Sequence, residues 1–141
     1  MNDARKVLVV AVFLASVVSG RAVEAQSLDT TSTFITQNIN DIHGADCSSI
    51  SGHTYTVQNN GAQGPETTFS FKITEVVPSV EIGGDSGGAI NINCISGACI
   101  HYSLLESSSN ETFETRVDPG RVVKALLHLQ DICGGKTTSP F

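Results

Sequence analysis

The chain of 141 residues has no tryptophan, one methionine, six phenylalanines and two tyrosines. Without Trp the strongest cation–π face is missing, and the sequence shows no clustered aromatics that read as a cage for a quaternary cation. Bases are scarce as well: eight Lys and Arg against 14 Asp and Glu, a net charge of −6. Nucleic acids and anionic membranes need clustered Lys and Arg, so neither is an expected partner. No redox C-x-x-C, no phosphate-cradling glycine loop and no internal repeat of 20–50 residues is present.

A long hydrophobic run is also missing. The longest, Val7 to Val18, has 12 residues, against about 20 for a membrane span. What surrounds it is informative. Arg5 and Lys6 precede it, Ser19-Gly20 breaks it, and Val23 and Ala25 put small residues at −3 and −1 of a cut after Ala25. That is the layout of a cleavable secretory signal. Residues 1–25 are therefore expected to be a signal peptide, and 26–141 a single exported domain without stable membrane insertion once the signal is removed. An uncleaved anchor is the alternative. The exported part keeps Lys72, Arg116, Arg121, Lys124 and Lys136 as its bases, for a net charge of −7.

The four cysteines are Cys47, Cys94, Cys99 and Cys133. An even count in an exported chain points to two disulfides, with three pairings open. Cys94 and Cys99 flank Ile95-Ser96-Gly97-Ala98, a connection short enough for a hairpin, and opposed antiparallel residues lie about 4.5–5.5 Å apart at Cα. That pairing leaves Cys47 with Cys133, a bridge that ties the early chain to its end. Buried free thiols are the other reading of Cys47 and Cys133.

The best-specified element is Asp118 to Gly134. Asp118 suits an N-cap, Pro119 the first helical position and Gly134 the C′ position. At 100° per residue Val122, Ala125, Leu126, Leu129, Ile132 and Cys133 share one face, with Val123 and Leu127 at its margin and Arg121, Lys124, His128 and Asp131 opposite. A weaker helical spacing of Phe34, Ile35, Ile39 and Ile42 predicts a helix over Thr31 to Ile42. Residues 43–52 read as turn-rich. Strands are predicted over 53–58, 66–76, 89–95, 98–106 and 111–117, with a brief resumption at Val80 after Pro78 interrupts. Residues 83–88 read as the most flexible stretch. With no crossover helices between them, the strands pair antiparallel. The expected fold is α+β: an antiparallel meander of five or six strands closed by a C-terminal amphipathic helix.

The cysteine-bearing strand pair, followed by a helix carrying A-L-x-H-L-x-x-x-C-G, resembles a group of small exported bacterial proteins of unknown function. The matching residues are Cys94, Cys99, Ala125, Leu126, His128, Leu129, Cys133 and Gly134. The resemblance covers about the last third of the chain. It implies export and a meander closed by a helix, a layout similar to pleckstrin-homology-like folds. It carries no activity.

Chemistry has few footholds. Gly84-Asp85-Ser86-Gly87-Gly88 looks like the nucleophile loop of chymotrypsin-like serine proteases. In that reading Ser86 attacks and the Gly84 and Ser86 N–H groups hold the oxyanion. Only His43 and His53 stand upstream as bases, neither in the family's setting, the 60 residues 26–85 leave no room for the barrel that carries the His and Asp, and a glycine-rich turn is the plainer account of the stretch. Cys94, Cys99 and His101 could ligate zinc, but a fourth ligand is missing and an oxidising compartment favours the disulfide. His43, His53 and His128 are scattered along the sequence, and Glu106, Glu111, Glu114 and Asp118 surround a polar loop that reads as a solvated rim. The expectation is a binding or interaction domain. It needs no cofactor and no metal, and its ligand is an unidentified protein or a small apolar molecule held between sheet and helix. A serine hydrolase using Ser86 and a purely structural accessory domain are the alternatives.

Overall fold

The computed structural model describes residues 28–81 and 88–134. The expected signal at 1–25 and the Ser86 nucleophile lie outside the described residues. The described residues from Thr31 onward form one compact unit.

The fold is α+β with seven antiparallel strands. Strand β1 spans Ile42–Ala45, β2 Ile50–Val57, β3 Gln63–Phe71, β4 Val76–Val80, β5 Ala89–Cys94, β6 His101–Tyr102 and β7 Asn110–Glu114. They form two sheets instead of one meander. The first has the order β1-β2-β3-β6 and the second β4-β5-β7. Strand β6 crosses over because the chain between β5 and β7 detours to pair Phe69 with Tyr102 and Ser70 with His101. The predicted strand over 98–106 is cut to two residues for the same reason, and Ile100 only bridges Ser108.

Helix α1 covers residues 28–38, not Thr31 to Ile42. Poor helix formers end it: Asn38 donates its side-chain N–H back to the Phe34 carbonyl at 2.9 Å, and Asp41 reverses the chain with φ 70°. Ile39 then bridges Thr115, and Ile42 opens β1. Residues 43–52, predicted as turns, hold β1 and the start of β2. The predicted turn is confined to 46–49 between them, where Asp46 Oδ1 accepts the N–H groups of Ser48 at 2.8 Å and Ser49 at 3.1 Å.

Period-two burial is clear where the sequence alternates. Phe69 and Phe71 are buried on β3, and Ile90 and Ile92 on β5. Ile73 is buried too, but in a 3-10 turn, Ile73–Glu75, that ends the first sheet's run and starts the second. Pro78 does not interrupt. It pairs with Ile92, and β4 is an edge strand where a missing N–H is tolerated. Phe113 on β7 joins the sheets, with its ring 5.2 Å from Phe69 and 6.4 Å from Phe71.

Helix α2 spans Pro119–Ile132. The Asp118 carbonyl accepts the Arg121 N–H at 3.0 Å, while its side chain makes no capping bond. Gly134 takes φ 77° and its N–H reaches the Asp131 carbonyl. Val122, Leu126 and Leu129 are fully buried beneath the helix. Gln130 is buried as well. Its Nε2 donates to the carbonyls of Ile73 at 2.9 Å and Val76 at 2.6 Å, at the first residue and the C-cap of the 3-10 turn, which satisfies these buried acceptors. The Arg121 guanidinium sits 5.4 Å over the Phe34 ring, linking α2 to α1.

Cys47 is bonded to Cys133 and Cys94 to Cys99, with sequence separations of 86 and 5. The Cys94–Cys99–His101 zinc reading is thereby overturned, since both sulfurs are spent in a covalent bond. No helix among the described residues is long and apolar enough to cross a membrane.

Candidate functional site

The outward face of the first sheet carries a hollow of about 550 Å³. Strand register shows how it is built. One row crosses all four strands: Gly44 opposes Ser51, Ser51 opposes Ser70 and Ser70 opposes His101. The next row pairs His53 with Thr68. The Ser103 hydroxyl accepts the Thr68 N–H at 3.0 Å, and the Ser103 N–H returns to the Thr68 carbonyl at 2.9 Å. Small hydroxyl side chains thus pave the floor, and imidazoles stand over it.

Three of the four histidines line this hollow: His43, His53 and His101. In sequence His43 and His53 looked scattered and His101 was read with Cys94 and Cys99; 58 positions separate His43 from His101. His43 and His53 lie ring to ring, centroids 4.6 Å apart and planes tilted by 38°. His53 Nδ1 pairs with Glu66 Oε1 at 3.1 Å, and His101 Nδ1 meets the Ser107 hydroxyl at 3.1 Å. His128 is on the exposed side of α2, away from the site's strands.

Backbone geometry brings the first pair together. The β1–β2 register skips between Ile42 opposite Gly52 and Gly44 opposite Ser51, so His43 is the extra residue of a bulge. The bulge presses the Asp41 carbonyl against Gly52. A Cβ on Gly52 would stand 1.7 Å from the Asp41 oxygen and 2.8 Å from the Phe69 ring. Only glycine fits, and the same close approach lets the His53 N–H donate to the Asp41 carbonyl at 3.0 Å.

Tyr102 closes one wall. Its hydroxyl donates to Glu111 Oε2, tying β6 of the first sheet to β7 of the second. Partial burial, then the hydrogen bond and charge of Glu111, push the phenol well above its ordinary range. It stays protonated, a donor and not a base. Glu111 is thus engaged with Tyr102, and Glu114 meets Asn40 instead, so these two carboxylates serve different partners. Among the described residues no group of three or more His, Cys, Asp or Glu is arranged to hold a metal ion.

Chemically, the face offers imidazole nitrogens, hydroxyls and backbone edges on an open floor. Sequence reasoning missed its convergence. The available signal was the alternation Ser51, His53, Tyr55 on one strand face against Ser70, Thr68, Glu66 on the next, which register alone could align. The fold and the face together define a disulfide-stapled α+β domain with a histidine-lined hollow on one sheet. No protein-family model, no curated protein and no solved structure matches the chain.

Proposed function

We propose that the protein is an exported, periplasmic or secreted, domain with a binding role and no catalysis, and that its ligand sits on the outward face of the first sheet. The observation that carries this reading is the hollow in which His43, His53 and His101 meet the Ser51 and Ser70 hydroxyls. Its lining mixes the Phe69 and Tyr102 rings with imidazole nitrogens and hydroxyls, so the ligand in this reading carries polar groups on a partly apolar body. The space between α2 and the second sheet, where an apolar molecule would lie, is filled by Val122, Leu126 and Leu129, all fully buried. Export is supported by the secretory layout of residues 1–25 and by two disulfides with no free cysteine among the described residues, since such bridges persist in oxidising compartments.

The test is an NMR titration of the mature chain with polar fragments: small carboxylates, inorganic phosphate and short sugars. Shifts gathered on His53, Thr68, Ser70 and His101 are the expected result. Shifts confined to α2, or none with any fragment, would remove the reading. Exposure of the same preparation to a fluorophosphonate is expected to leave Ser86 unlabelled; labelling that disappears in Ser86→Ala would establish a hydrolase instead.

A further inference from the structure

We propose that His43 and His53 form an open two-histidine site for a divalent transition-metal ion of the Zn²⁺, Cu²⁺ or Ni²⁺ kind. The inference deepens the binding reading by naming the chemistry of the ligand, and it rests on that reading.

The spacing fits. Imidazole nitrogens bind such ions at about 2.0–2.1 Å, so two rings on one ion have their centres roughly 4.5 Å apart at a right angle and roughly 5.2 Å apart at a tetrahedral angle. The His43 and His53 centroids are 4.6 Å apart. Placement comes from the backbone: the bulge at His43 and the side-chain-free Gly52 set the two strands so that these rings meet.

The tautomer fits as well. The Glu66 carboxylate accepts from His53 Nδ1 at 3.1 Å. A proton held on Nδ1 leaves the lone pair on Nε2, the arrangement in which a carboxylate aims and strengthens a histidine ligand. Glu66 is directly across from Tyr55 on the paired strand, so the sheet register fixes it beside His53.

Ligand type sets the metal class. Neutral imidazoles favour Zn²⁺, Cu²⁺ and Ni²⁺, whereas Ca²⁺ and Mg²⁺ require a shell of oxygens. No thiolate competes, because all four cysteines are in disulfides. With only two protein donors, the ion's other positions go to water or to a donor group of a ligand lying in the hollow. Such a site recruits a chelating small molecule through the metal, and the hydroxyl floor of Ser51 and Ser70 receives the rest of it.

The experiment uses the mature chain with Zn²⁺ alone, read on the histidine ring nitrogens by NMR, and Cu²⁺ alone, read by EPR. The expected result is one equivalent bound, with ring shifts on His43 and His53 and coupling to two nitrogens. His43→Gln and His53→Gln should each weaken binding at least 10-fold with unchanged circular dichroism. Glu66→Gln should weaken it about 10-fold while leaving both ring nitrogens bound, as a positioning residue would. His128→Gln should change nothing. Full affinity in His53→Gln, shifts on His101 or the N-terminal amine alone, or no uptake of either ion would overturn the site. If Zn²⁺ moves no ring while polar fragments still shift Thr68 and Ser70, the metal assignment falls and the hollow stands. If neither acts, both fall.

Discussion

Gly52 shows how much one missing side chain can decide. Its neighbours are the Asp41 backbone and the Phe69 ring, neither able to yield cheaply. Gly52→Ala should lose about 3 kcal/mol in chemical denaturation, the upper end of overpacking costs, and the His43–His53 ring contact should vanish from NMR spectra of any folded remainder. Gln130 is the converse, a polar residue that the interior needs. Replacing it with Leu keeps the volume but leaves the Ile73 and Val76 carbonyls unpaired, at about 1–3 kcal/mol for each orphaned group; the midpoint of urea unfolding reports it. Tyr102 governs the alkaline limb. Its pKa is higher folded than unfolded, so its contribution is complete below pH 10 and is lost as pH rises further. The fall of stability above pH 10 should be shallower in Tyr102→Phe than in the parent protein.

At the scale of elements, the two bridges differ in what they constrain. Closing a loop of 86 residues removes more unfolded-state entropy than closing one of 5. The loop-entropy relation gives about 4.5 kcal/mol for Cys47–Cys133 and about 2 kcal/mol for Cys94–Cys99. Paired Cys→Ser variants should therefore rank in that order in thermal melts. Helix α2 depends on burial, not propensity, because Gly120, Val122 and Val123 are indifferent helix formers. Leu126→Ala, at a fully buried position, should cost about 3 kcal/mol. The helix was legible in sequence because every local signal agreed: Asp118, Pro119, the apolar stripe and Gly134. Helix α1 was half legible. Ile35 and Ile39 are both buried, yet Ile39 leaves the helix, since a spacing of four serves a helix and a bend followed by a strand equally well.

Over the whole molecule, local pattern determined the α+β class, the antiparallel pairing, the closing helix and the count of two disulfides. Each rests on short-range physics: side-chain period, capping chemistry, turn residues and an even number of cysteines. Partition of the strands into two sheets was not written locally. It follows from the 3-10 turn at Ile73–Glu75 and from the return of β6 to β3, with the Phe69, Phe71 and Phe113 rings packed where the two sheets meet. The histidine face was likewise invisible. His43, His53 and His101 belong to three strands, and a one-residue change of register would send any of them to the other side. The residue types and their periodicity were settled by the sequence alone. Which polar residues share a face was settled only by tertiary structure, because strand register is a long-range property fixed by the core beneath it.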